Sequence, residues 1–198
     1  AAFDVVLLAA HEPHLHWRAF IHSLFEVTAR VGASTLVTLG SMVDNVLHTE
    51  RIVSAITPDE NWRRRLSDMK IGAISYHGPT AVHGLIQDEA RRRDLTCLSF
   101  WAHCPYYLHD ATHFGLQGFL TRLLEQLWPM GVDALDLESK WRKLEKRIDA
   151  MIEASPELNT MIEELKQGRA DGTKGGPPGA PAPGDHKVIR LEDFMKPR

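Results

Sequence analysis

The chain has 198 residues, 43% of them hydrophobic and 25% charged, which is enough apolar material for one sizeable core with appendages. Its formal charge of −3 comes from Lys and Arg scattered among Asp and Glu, so no basic face stands ready to neutralise a phosphate backbone, which argues against nucleic acid as a partner. No run approaches the roughly 20 apolar residues of a membrane span, and the two cysteines, Cys97 and Cys104, lack a disulfide pattern; a cytoplasmic, reducing setting is expected, with no membrane partner.

Residues 3–9 are a continuous apolar run, which predicts a strand buried on both faces. The chain opens at Ala1 without an initiator Met and already inside that run, so native sequence upstream is expected. Pro13 opens a helix carrying Trp17, Phe20, Ile21, Leu24 and Val31 on one face, and Gly32 closes it. Residues 35–39 and 52–56 read as the next strands, and 59–69 as a helix with Trp62 and Leu66 inward. At 74–90 a short apolar run meets Gly78-Pro79-Thr80 and passes into an amphipathic helix with Val82, Leu85, Ile86 and Ala90 at helical spacing; Thr80 stands where an N-cap would. Residues 96–102 form another apolar run, followed by a helix over about 112–128. Repeated strand-helix order predicts an α/β fold: a three-layer α/β/α sandwich around a mainly parallel sheet over residues 1–132.

The pattern changes after residue 131. Leu137, Trp141, Leu144, Ile148 and Met151 recur at steps of four and three, a narrow seam of coiled-coil type. Asp133 is a plausible N-cap, and Ser155-Pro156 restarts the helix in a cap-then-N1 arrangement. A helical hairpin over 133–168 is therefore expected, with the seam as helix–helix core first and partner surface second. Residues 169–187 are rich in Gly and Pro and read as a disordered linker. Beyond it, 188–198 carry Val188, Ile189, Leu191, Phe194 and Met195, which predicts a docking segment. Trp141, Leu144, Ile148, Leu191 and Phe194 are thus the candidate interaction residues.

Ligands of open α/β sheets gather beyond the carboxyl ends of the strands. Those ends hold His11, Glu12, Asp44, His77 and His103 as acid/base candidates, Thr57 after the third strand, Cys104 as a possible nucleophile, and Gly78 to Thr80 as an anion nest. Polar residues also collect there simply because the chain turns. Gly40-Ser41 is not a Gly-x-Ser-x-Gly elbow. His11, His14 and His16 cluster, and His109 and His113 are four apart, but neither set matches a metal signature. No metal and no cofactor are assigned.

Four segments resemble one family in order. Leu7-Leu-Ala-Ala-His-Glu-Pro-His-Leu-His-Trp-Arg-Ala-Phe20 is similar to the Gly-x-Glu-Pro-Asp-x-x-Trp-x-x-Phe stretch of the proteasome assembly chaperone family, second-subunit type, in its actinobacterial branch. Residues 37–49, ending in His48-Thr49, resemble a strand-exit loop of that branch; residues 76–84 its Gly-Pro-Thr-Gly helix start; and residues 99–107 its Trp-Ala-x-x-Pro-His-Tyr strand end. The hairpin through Pro156-Glu-Leu158 matches its C-terminal helices. The resemblance implies a fold similar to nucleoside phosphorylases and related hydrolases, self-association, and a role in protein interaction. His14 replaces the family's usual acidic residue, its N-terminal strand-helix segment is missing, and Lys196-Pro-Arg198 lacks the hydrophobic-Tyr-x ending with which some archaeal relatives engage proteasome rings.

The expected function is a non-enzymatic interaction or assembly factor, homo-oligomeric, with proteasome-related or other protein partners. Two alternatives stand beside it: a phosphorylase- or hydrolase-like enzyme, and a small-molecule-binding module using the same rim. An enzyme would gather His11, Glu12, Asp44, His77 and Cys104 into one pocket.

Overall fold

The computed structural model describes residues 3–74, 82–108 and 111–170. In chain order they form α1 (Trp17–Arg30), β1 (Thr35–Asp44), β2 (Val53–Ile56), α2 (Glu60–Asp68), β3 (Gly72–Ala73), α3 (Val82–Arg92), β4 (Thr96–Pro105), a 3-10 turn (Tyr106–Leu108), α4 (Phe114–Leu127), α5 (Leu135–Ala154) and α6 (Pro156–Ala170). Local chemistry sets several of these boundaries. The Asp59 carboxylate accepts the N–H groups of Asn61 and Trp62 and so starts α2. Ser155 Oγ accepts the Leu158 N–H at 3.3 Å, one residue before Pro156 opens α6. Asp133 accepts the Leu135 N–H at 3.0 Å, with Ala134 at the cap position itself.

The four strands lie in the order β1-β4-β2-β3. β1 and β4 pair in parallel from Thr35↔Thr96 to Asp44↔Pro105, and β2 and β3 are also parallel. β2 runs antiparallel to β4, Val53 opposite Ala102 and Ile56 opposite Ser99. The sheet is therefore mixed, with two of its three pairings parallel as expected and the β2–β4 pairing the antiparallel exception. The cause is the connection at 45–52: a parallel crossover takes a dozen or more residues and usually a helix, and this loop contains no helix. It returns the chain on the same rim, and β2 runs back.

Helices cover both faces, as in a three-layer α/β fold. Ile21 and Phe25 of α1 and Val82, Ile86 and Ala90 of α3 pack on Cys97 and Leu36. On the other face Leu66 of α2 and Leu116, Leu123 and Leu127 of α4 meet Val53, Ala55, Leu98, Phe100 and Ala102. A third cluster joins Trp141 and Ile148 of α5 to Leu158 and Ile162 of α6, with Tyr107 and Leu108 beneath them. The hairpin thus closes its seam on itself and on the strand end.

The expected first strand is not one. Residues 3–9 belong to no strand, and Leu7 is 90% exposed. A buried parallel strand needs a ladder partner and cover on both faces, and among the described residues this run has neither. Among them, too, no helix is long and apolar enough to cross a membrane. The expected linker and tail, 169–198, fall almost wholly outside the described residues, as do 75–81.

Candidate functional site

Alternation along β4 sends Leu98, Phe100, Ala102 and Cys104 into the α2–α4 layer and leaves Ser99, Trp101 and His103 on the α1–α3 side. His103 is 9% exposed and spans two strands. Its Nδ1 lies 2.7 Å from Asp44 Oδ2 on β1, and its Nε2 lies 2.7 Å from Ser54 Oγ on β2. A carboxylate only accepts, so Nδ1 carries the proton and donates to Asp44; Nε2 of the neutral ring then accepts from the Ser54 hydroxyl. Asp44 also accepts the N–H of Asn45 at 2.7 Å, which fixes the carboxylate. A hydroxyl, an imidazole and a carboxylate are thereby aligned on three strands, at the rim where β1 and β4 end and β2 begins.

A second polar group lies on the same face. Glu12 Oε1 accepts the Val82 N–H at 2.8 Å and so caps α3. The next residue, His83, faces Trp101 with ring centroids 4.8 Å apart and reaches Ser99 Oγ at 3.4 Å. Burial pulls the His83 imidazole below its ordinary value, and the Glu12 charge partly opposes this. Gly40 makes the packing possible, because a Cβ there would sit 3.1 Å from the Trp101 ring and 3.2 Å from His83. The buried Trp101 Nε1 has no hydrogen-bond partner among the described residues.

With this geometry in place, a family model described as the PAC2 family matches residues 2–152. The chain belongs to the PAC2 family. It is 26% identical to a PAC2 family protein from Streptomyces avermitilis, TM-score 0.63, over 70% of this chain and 58% of that one. A proteasome-assembly chaperone homologue from Mycobacterium tuberculosis is 25% identical, TM-score 0.64, over 76% and 63%. An archaeal homologue of proteasome-assembly chaperone, Pyrococcus furiosus PbaA, is 16% identical with a TM-score of 0.56, over 78% and 63%, and supports the fold. The chain therefore spans less than two thirds of the length of each. No curated protein matches it.

Among the described residues, the expected rim candidates of the PAC2 chain have different surroundings. Asp44 and His103 meet, as described. Glu12 serves as a helix cap, and His11 is exposed. Cys104 points into the opposite layer, where burial pushes its thiol up and Sγ contacts the Leu108 carbonyl at 3.8 Å; a raised thiol on the wrong face is no nucleophile for this rim. Thr57 lies at the far end of the sheet because β2 is antiparallel. His77, Gly78 and Thr80 fall outside the described residues, as do Leu191 and Phe194. A concavity of about 520 Å³ opens at the α5–α6 turn, lined by Met151, Ala154, Ser155, Pro156 and Glu157. Among the described residues no three His, Cys, Asp or Glu converge as a metal cage would require.

Of the candidate interaction residues, Trp141 and Ile148 are 1% and 0% exposed inside the PAC2 chain's own hairpin core, and Leu144 is half-buried beside them. Sequence reasoning missed Ser54 and His83, and it missed a latch behind the rim. Tyr107 Oη accepts the His48 N–H at 2.8 Å and bonds its Nδ1 at 2.9 Å; His48 Nε2 donates to Asp149 Oδ1 of α5 at 3.0 Å. This chain of bonds ties the loop after β1, the 3-10 turn and the hairpin together. The signal for it lay in the His-Thr and Pro-Tyr-Tyr segments of the family resemblance.

Proposed function

We propose that this PAC2 chain is a protein-interaction or assembly factor that self-associates and binds other protein chains, proteasome components among them. The solved structures it is similar to include proteins described as proteasome-assembly chaperone homologues, one from Mycobacterium tuberculosis and one from Pyrococcus furiosus. The observation that carries the reading is a surface. β1 is an edge strand of ten residues, paired on one side only among the described residues, and its Leu39 and Val43 are 50% and 45% exposed. Phe3, Val5, Val6, Leu7 and Leu8 are exposed as well. Parallel strands are normally covered on both faces, and an edge with apolar side chains is a template for another chain. A partner that buries the remaining exposed half of such a side chain contributes roughly 1 kcal/mol at each.

The test is affinity capture from the native host with the wild-type chain and with Leu39→Asp/Val43→Asp. Stoichiometric recovery of proteasome subunits by the wild type, lost in the variant, is the expected result. Equal recovery by both would move the binding surface elsewhere; recovery of no protein at all would contradict the assembly role.

A further inference from the structure

We propose that Ser54, His103 and Asp44 form an acyl-transfer site that accepts a small ester or other activated acyl compound. The inference is independent of the interaction reading and goes beyond it. Ser54 Oγ is the nucleophile, His103 the general base, and Asp44 the positioning residue that holds the ring and its tautomer. The two contacts, both 2.7 Å, are within the reach such a relay requires. Constellations of this kind are recognised by geometry and role, not by chain order, so the strand position of Ser54 and the absence of a nucleophile elbow are no objection. The site also lies at the carboxyl ends of β1 and β4, where α/β folds place ligands.

A second observation points to a missing acceptor. Trp101 is the residue directly opposite Ser54, and its indole N–H is buried without a partner among the described residues. Hydrogen-bond donors are rarely left so. The unsatisfied donor thus belongs to the residue paired with the proposed nucleophile across the β2–β4 ladder. Ser54 is 7% exposed and His103 9%, which restricts the acyl group to a small one.

The chemistry balances with water as the only co-reactant. Ser54 Oγ attacks the acyl carbon while its proton passes to His103 Nε2, and the resulting imidazolium is stabilised by Asp44. Collapse of the tetrahedral adduct breaks the acyl–oxygen bond of the ester, and the leaving alkoxide takes the proton from Nε2. Water then attacks the acyl-Ser54 ester, giving its proton to Nε2, and the acid departs as Oγ regains that proton.

The full chain is treated with a fluorophosphonate, whose P–F bond is broken as Oγ–P forms and fluoride leaves. Intact mass and peptide mapping read the adduct, and a burst of p-nitrophenolate from p-nitrophenyl acetate reads acylation. The expected result is one adduct, on Ser54, formed by folded and not by heat-denatured protein. Ser54→Ala should abolish adduct and burst, and His103→Ala should slow both at least ~100-fold. Asp44→Asn should slow them with the adduct still on Ser54, and Asp44→Glu should recover part of the rate, which a merely structural carboxylate would not do. Wild-type protein that stays folded and unlabelled, or an adduct mapped to another residue, overturns the proposal whatever the variants do.

Discussion

His113 ends one helix's isolation and begins another's packing. Its Nδ1 accepts the Leu116 N–H at 3.2 Å, capping α4, while its ring stacks on Trp141 at 4.1 Å and 9°. Nε2 is buried without a partner among the described residues, and burial pulls the imidazole from 6.5 down to about 4, with Arg51 and His48 pushing the same way. The folded state therefore holds His113 neutral where the unfolded chain protonates it. The corresponding stability is complete above pH 6.5 and is lost as pH falls toward 4, amounting to about 3 kcal/mol over that span. Urea melts at pH 7.5 and pH 4.5 should show that loss. His113→Asn keeps a capping oxygen and should flatten the pH dependence; an unchanged slope would assign the acid sensitivity to other groups. In the sequence this residue stood out only as half of a His109/His113 pair. Its role as a cap depends on where α4 starts, and its titration depends on Trp141, which no local pattern reveals.

At the scale of elements, Gly115 and Trp141 decide how α4 and α5 meet. A Cβ at Gly115 would lie 2.8 Å from Cδ2 of Trp141, and that side chain is 1% exposed with no room to give way. Gly115→Ala should therefore lower stability by about 1 to 3 kcal/mol through overpacking, although Ala is the better helix former by about 1 kcal/mol. Trp141→Ala should cost about 3 kcal/mol or more by leaving a cavity. In thermal or denaturant melts the double variant should lose less than the sum of the singles, because each removes part of the same contact; strict additivity would mean that the two helices do not pack there. Asp59→Ala, which removes the cap of α2, should cost about 1 kcal/mol in the same melts.

The helices were legible from the sequence because their signals are local: Asp59 before α2, Ser155-Pro156 before α6, and the apolar spacing of α5. The direction of β2 was not, since it follows from a loop without a helix and from pairing with a strand more than forty residues away. That one reversal hid the site. It carried Thr57 off the rim and brought in Ser54, whose contact with His103 spans 49 residues of sequence. Asp44 and His103 were legible because β1 and β4 run as expected.

On the scale of the whole molecule, membership of the PAC2 family and the α/β sandwich agree with the motif order read from residues 7–107. The fold leaves an edge strand with exposed Leu39 and Val43, and Phe3, Val5, Val6, Leu7 and Leu8 are exposed as well. We propose that the chain self-associates through the β1 edge. Size-exclusion chromatography with light scattering on the wild type and on Leu39→Asp/Val43→Asp tests it most directly. The expected result is a wild-type mass at a whole multiple of the chain mass and a variant that stays folded by circular dichroism but falls to one chain. A monomeric wild type at micromolar concentration, or a variant of unchanged oligomeric mass, would contradict it.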